Sequence, residues 1–210
     1  MLTLASRSPR RRRLLACLGL TFRVVVPAVD EDAPSVAAVT AEDMAEALAM
    51  AKALSVAQQG EGLVLAADTL VVDGDTVLGK PRDAAEAAAM LRRLRDREHR
   101  VITGLALLDA GRLNLSLVDH VTTAARMRAY SDDDIEAYIA RGEPFDKAGA
   151  YAIQDETFHP VASYEGCYCN VVGLPLRAVM RLLRRTGLDI TDEHLAGLPA
   201  ECDGCPVVVE

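Results

Sequence analysis

The chain has 210 residues, half of them hydrophobic, and a formal net charge of −8, enough length and apolar content for one α/β domain with its own core. No apolar run approaches the roughly 18–20 residues of a membrane span. The acidic balance argues against long nucleic acid as a partner, because a basic footprint dominates that affinity.

Residues 3–5 read as a short strand. Ser8 then stands as the N-cap of a helix with Pro9 at its first position; Leu14, Leu15 and Leu18 give it an apolar stripe and Gly19 ends it. Five Arg fall by position 13, before any long apolar stretch, which is unlike a secretory leader and leads to the expectation of a cytoplasmic protein. Residues 22–26 form a second apolar strand that runs into the acidic loop Asp30, Glu31, Asp32. Thr40 and Asp43 make a capping box for a long Ala-rich helix ending near Gly60.

Residues 63–67 read as a buried strand with Asp68 and Thr69 at its end. Val71 and Val72, the Asp73-Gly74 turn and residues 76–78 suggest a hairpin. Asp83 with Glu86 caps a helix whose apolar face is Ala87, Met90, Leu91 and Leu94. Strands are expected over 101–108 and 113–121, with Ala110-Gly111 turning between them. Ser131 starts a short acidic helix that reaches Tyr138 and is broken by Gly142 and Pro144. Residues 145–170 mix short strands and turns, and Gly173, Leu174 and Pro175 open a last helix ending at Gly187. The division expected is one domain over 1–188 and a loose tail over 189–210. Five cysteines, at 17, 167, 169, 202 and 205, are an odd number in no regular framework and read as free thiols in a reducing compartment. Cys202 and Cys205 form one CxxC, weak evidence for zinc without a second well-spaced pair.

Charge distribution locates the chemistry. Residues 1–29 hold six Arg and no acid, so they carry +6 and leave −14 for the rest. Helix amino termini favour acidic residues because the macrodipole is positive there, yet SPRRRR opens this helix. An anion on the free N–H groups, on Ser6 or Ser8 and on one or two Arg would relieve both the dipole and the Arg–Arg repulsion; a solvated basic turn is the alternative. The chain uses 20 Arg but only three Lys, at 52, 80 and 147, and Lys is a compact point charge suited to phosphate oxygens. Lys80 and Lys147 sit among Gly and Pro, where a backbone can approach a ligand closely. Asp68 after one strand and Glu31 after another supply hard oxygen ligands that suit Mg²⁺ or Mn²⁺ completed by phosphate oxygens; taken alone, Asp68 would read as a cap or turn residue. The four His are scattered, and neither a covalent nucleophile motif nor a Walker loop is present. The residues by themselves therefore point to metal-assisted hydrolysis of a phosphate ester or anhydride.

LASRSPRRRRLL (4–15), VDE (29–31), AADT (66–69), GKP (79–81), HRVITG (99–104), GEPFDKAGAYAIQ (142–154) and NVVGLPL (170–176) together resemble the Maf family of nucleotide pyrophosphatases, over about residues 3–187. The resemblance implies an elongated mixed β-sheet with flanking helices, two lobes around a cleft, and usually a homodimer. It implies that Asp68 accepts the proton and that Ser6, Arg10, Arg11, Glu31, Lys52, Lys80, Asp146 and Lys147 line the cleft. The implied reaction cleaves a nucleoside triphosphate to monophosphate and pyrophosphate, and the implied cofactor is a divalent cation.

Arg10, Thr69 and Gln154 stand at three positions that separate branches of the family, and all three resemble the dTTP and UTP branch. A 7-methyl-GTP pyrophosphatase, or a nucleotide sensor acting on cell division, are the alternative readings. Two departures are visible: Arg95-Asp96 replaces the usual Ser-Gly before His99, which is expected to alter a turn, and Asp155 replaces a frequent Gly after Gln154, next to a position tied to base choice.

Overall fold

The capping residues read from the sequence act as caps. In the computed structural model, which describes residues 1–29, 40–58, 62–111 and 115–208, the first strand β1 (Leu2–Ala5) leads to helix α1 (Pro9–Ala16), and the Ser8 side chain accepts from the Arg11 N–H. Strand β2 (Phe22–Val25) is followed by α2 (Ala41–Ala57), whose Thr40/Asp43 capping box is complete. Strands β3 (Leu63–Asp73) and β4 (Thr76–Leu78) form the expected hairpin, and α3 (Ala84–Leu94) starts at Asp83, which accepts from the Glu86 N–H at 2.8 Å. Then come β5 (Glu98–Asp109), β6 (Ser116–Met127), α4 (Asp132–Ala140), β7 (Val161–Glu165), α5 (Tyr168–Val172), α6 (Leu176–Arg185) and α7 (Asp192–Ala196).

The strands make one mixed sheet in the order β2-β1-β3-β5-β6-β7, with β4 also on β3. The pairs β2-β1 and β1-β3 are parallel and the others antiparallel. This is the expected mixed sheet with flanking helices. β3 governs the layout because its alternate residues serve opposite faces. Val64 and Ala66 pack with Ala49, Ala53 and Val56 of α2, while Leu65 points into the cluster that holds Leu14 and Leu15 of α1 and Val179 and Leu183 of α6. A separate cluster gathers Leu91 and Leu94 of α3, Ile135 and Tyr138 of α4, and Phe158.

Three expectations are corrected. β3 does not end before Asp68 but runs on to Asp73, because β5 pairs with it continuously from Leu63 to Val72. β6 continues past Val121 to Met127, held by β5 on one side and β7 on the other. The segment expected to be a loose tail packs on the body: Ile190 and Cys202 are buried in the cluster beneath α1 and α6, and Leu198, Cys205 and Val207 lie against it. At the first departure from the family pattern, Asp96 takes φ +55°, a left-handed conformation that Gly adopts freely and Asp tolerates, so the turn is kept.

Gly104 fixes how α2 seats on the sheet. It faces Asp68 across the β3-β5 ladder, and a Cβ there would lie 2.2 Å from the Ala45 carbonyl carbon, in the helix backbone itself. Gly104→Ala is therefore expected to destabilise the fold by about 3 kcal/mol or more, because neither backbone can yield locally. Chemical denaturation reads this directly, and an unchanged midpoint would contradict the close approach.

Candidate active site

β1 pairs with β3 only as far as Ala66, and β4 takes up the same side of β3 at Val71. The stretch Ala67–Leu70 between them keeps β5 on one side but has neither β1 nor β4 on the other. A cleft of 1140 Å³ opens over this gap, lined from one side by Ser6–Arg11 and from the other by residues of the 77–82 and 146–154 segments.

The pleat sends the two middle residues of the gap in opposite directions. Asp68 shares the α2-facing row with Val64 and Ala66, and its Oδ1 accepts from Lys52 Nζ at 2.5 Å. Lys52 occupies the buried stripe Ala45, Leu48, Ala49, Lys52, Ala53, Val56 of α2, where the spacing otherwise calls for an apolar residue. Both partners are buried, at 4% and 8% exposure, so the charges face each other with little water between. Thr69 points to the other face. Its hydroxyl accepts from Arg11 Nη2 at 2.8 Å and lies 3.0 Å from Thr103 Oγ1, which in turn donates to the Asn170 carbonyl at 3.1 Å. Arg11 Nε donates to the Gly173 carbonyl at 2.7 Å.

Arg10 is held separately. It donates to Asp146 Oδ2 at 2.8 Å, and Lys147 Nζ donates to Asp146 Oδ1 at 2.7 Å. Partial burial works against the Asp146 charge, but the Lys147 and Arg10 contacts prevail and hold its carboxyl below the usual carboxylate range. Lys147 also donates to the Glu143 carbonyl. The basic turn at the start of α1 is thus not uniformly solvated: Arg10 and Arg11 are tied down at the cleft, whereas Arg12 and Arg13 are exposed. Ser6 is buried, and its hydroxyl accepts from the Ser8 N–H at 3.1 Å, which sets the turn into the helix.

All three lysines line this one cleft, together with Ser6, Arg10, Arg11, Asp68, Thr69, Asp146 and Gln154. Glu31 lies outside the described residues. Asp155 does not line it: its Oδ1 accepts from Arg141 Nη2 at 2.8 Å and from the N–H groups of Thr157 and Phe158.

The Maf-like protein family model matches residues 1–186. The chain belongs to the Maf family. A dTTP/UTP pyrophosphatase from Thermomicrobium roseum is 53% identical over 207 residues, 98% of this chain and 93% of that protein. One from Pelotomaculum thermopropionicum is 45% identical over 190 residues, 90% of this chain and 98% of that one. A HAM1 protein from Coxiella burnetii shows a partial structural likeness, with a TM-score of 0.45 and 18% identity over 61% of this chain and 73% of its own.

Sequence reasoning passed over the polar groups beneath this Maf cleft. Tyr151 lines it and its hydroxyl lies 2.7 Å from His99 Nε2; Asn170 is fully buried and donates to the Val101 carbonyl and to Thr123 Oγ1, both at 2.9 Å. All lie within the quoted motifs, and the available signal was a polar residue inside an apolar run.

Burial pushes the His99 imidazole down to about 4, against a weaker opposing pull from the Asp73 charge. The ring is therefore neutral at pH 7 in the folded protein. An unfolded His titrates near 6.5, so the unfolded chain binds the extra proton first as pH falls. The His99 contribution is fully present above about pH 6.5 and declines toward pH 4, by an amount of order 3 kcal/mol. His99→Gln, which keeps a hydrogen-bonding group for Tyr151, is expected to flatten the dependence of the unfolding midpoint on pH across that window. Parallel slopes for variant and parent would exclude this role.

Proposed function

We propose that this Maf protein hydrolyses dTTP and UTP to the monophosphate and pyrophosphate. The observation that carries this reading is the gathering of Asp68, both tethered arginines and all three lysines of the chain in one cleft, in a chain whose relatives at 53% and 45% identity are dTTP/UTP pyrophosphatases. The cleft volume of 1140 Å³ accommodates a whole nucleotide. Binding alone would need the cations but no carboxylate at the gap in β3, which favours catalysis over a purely nucleotide-sensing role.

In the proposed reaction, water attacks the α-phosphorus in line and pyrophosphate leaves. Asp68 acts on the attacking water as general base or as a ligand of the cation. One of its oxygens is engaged by Lys52, which fixes the plane of the carboxylate and leaves the other oxygen for the water or a cation. Lys80 and Lys147, with Arg10 or Arg11, neutralise charge as it builds on the departing phosphates. Ser6 and the amino end of α1 receive an anionic oxygen.

The donors fit a divalent cation carried largely by the substrate. Among the described residues no group of three His, Cys, Asp or Glu is arranged to hold a metal, and Mg²⁺ commonly uses one or two carboxylates with substrate phosphates. Asp68 and Glu31 are the proposed carboxylate ligands, and Mg²⁺ or Mn²⁺ held there would supply polarisation of a phosphoryl oxygen and a more acidic bound water. Among the described residues no helix is long and apolar enough to cross a membrane; a cytoplasmic homodimer is the form proposed from family membership.

Base choice is assigned to Arg10, Thr69 and Gln154. A uracil or thymine edge offers a donor between two acceptors, which the Gln154 amide complements. Asp155 Oδ1 accepts from Arg141 and two backbone amides, while the residue lines a smaller pocket that shares Arg10, Lys147 and Gln154 with the cleft. With one metal condition throughout, kcat/KM for dTTP and UTP should exceed that for CTP, GTP and 7-methyl-GTP; a lead for 7-methyl-GTP would reverse the assignment of base while leaving the reaction. Asp68→Asn should lower turnover by roughly 10² or more with the fold retained by circular dichroism, and near-parental turnover would remove Asp68 from the mechanism.

A further inference from the structure

None of the five cysteines has a part in the proposed hydrolysis, yet two distant segments bring four of them into one cluster. Cys167 and Cys169 flank the first residue of α5, and Cys202 and Cys205 stand in the C-terminal segment. Cys169 Sγ lies 2.9 Å from Cys202 Sγ, and Cys205 packs against the same cluster that buries Cys167. Cys167, Cys169 and Cys202 are at most 2% exposed, and all are free thiols. The spacings are CxC and CxxC, each able to chelate one soft ion through both sulfurs, and four thiolates are a complete tetrahedral set for zinc.

A second, independent feature marks the place. Arg177 of α6 donates from Nη2 to the Cys202 carbonyl at 3.3 Å, and its charge bears on that thiol, while its Nε is buried without a hydrogen-bond partner. A buried guanidinium N–H left unpaired is costly. It would be satisfied by a negative centre beside it, and a zinc ion with four thiolates carries a net charge of −2.

We propose that Cys167, Cys169, Cys202 and Cys205 bind one zinc ion, which fastens the C-terminal segment to the start of α5. Binding releases the four thiol protons and needs no oxidant. Cys169 and Cys202 now face each other as a pair, and among the described residues no three of the four thiols converge on one point. Zinc–sulfur bonds of about 2.3 Å set tetrahedral sulfurs about 3.8 Å apart, so loading moves Cys169 and Cys202 apart by about 0.9 Å from their 2.9 Å.

The ion would brace the site at a distance. α5 runs directly into Gly173, whose carbonyl holds Arg11. The same C-terminal segment presses Gly197 against the other end of α1, where a Cβ would lie 1.9 Å from the Cys17 carbonyl oxygen. The segment thus touches both elements that hold Arg11.

The test is the metal content of the full-length chain, purified without chelator and measured by plasma mass spectrometry, with the intact mass taken under denaturing, non-reducing conditions. The expected result is one zinc per chain and a mass with all thiols reduced. Cobalt exchanged into the same protein should give the charge-transfer and ligand-field bands of a tetrahedral tetrathiolate. Cys205→Ser, at a partly exposed position, should lose the metal and lower the thermal midpoint. Cys17→Ser and Asp68→Asn should both keep the metal, which separates this site from any hydrolytic cation. The proposal is overturned by a metal-free chain that takes up neither zinc nor cobalt, by a mass four hydrogens short from two disulfides, or by full zinc retention in Cys205→Ser.

Discussion

A buried ammonium–carboxylate pair, Lys52 with Asp68 at 2.5 Å, is the constraint around which the rest of this molecule is arranged. Taking two charges out of water costs several kcal/mol each, and an apolar pair of similar volume would often serve stability as well or better. The fold nonetheless places the pair between α2 and the centre of the β3-β5 ladder, at the gap in β3 that β1 and β4 leave uncovered. Gly104, directly across from Asp68, lets the α2 backbone approach closely enough for Lys52 to reach it. Such a pair is of most use where a polyanion arrives, because the incoming phosphates meet a cation already positioned and a carboxylate already oriented.

The opposite face of the same strand carries a second arrangement with a different purpose. Arg11, Thr69, Thr103 and the Asn170 carbonyl form a chain of contacts from the start of α1 to α5, and the Gly173 carbonyl closes it back on Arg11. Gly173 has φ +118°, and a Cβ there would lie 3.3 Å from Thr69 Oγ1, so a larger residue would crowd the guanidinium it positions. One strand thus orders a carboxylate against Lys52 on one face and a guanidinium against Thr69 on the other. The alternation of a β-strand is the reason adjacent residues Asp68 and Thr69 can do both.

Much of this was legible before any coordinates, and what was not has a physical cause. Caps at Ser8, Thr40, Asp83 and Ser131 are local chemistry and read directly. The scarcity of lysine singled out Lys52, Lys80 and Lys147, and its position on an apolar helical stripe marks Lys52 further. The placement of Asp68 at a strand end failed because the strand is extended by its antiparallel partner β5, distant in sequence, and pairing of that kind leaves no local signature. The C-terminal segment looked loose because its apolar residues lack periodicity; Ile190 and Cys202 are buried by tertiary contacts alone. Tyr151, Thr103 and Asn170 carry no chemistry in isolation and gain their roles from what they touch.

The central claim is that water, activated beside Asp68, attacks the α-phosphorus and expels pyrophosphate intact. It is tested most directly by hydrolysing dTTP in water enriched in oxygen-18 and weighing both products by mass spectrometry. Label confined to the nucleoside monophosphate, with unlabelled pyrophosphate, is the predicted result. Label in the pyrophosphate would mean attack at the β-phosphorus, and release of labelled orthophosphate in its place would mean attack at the γ-phosphorus; either would contradict the mechanism built on this cleft.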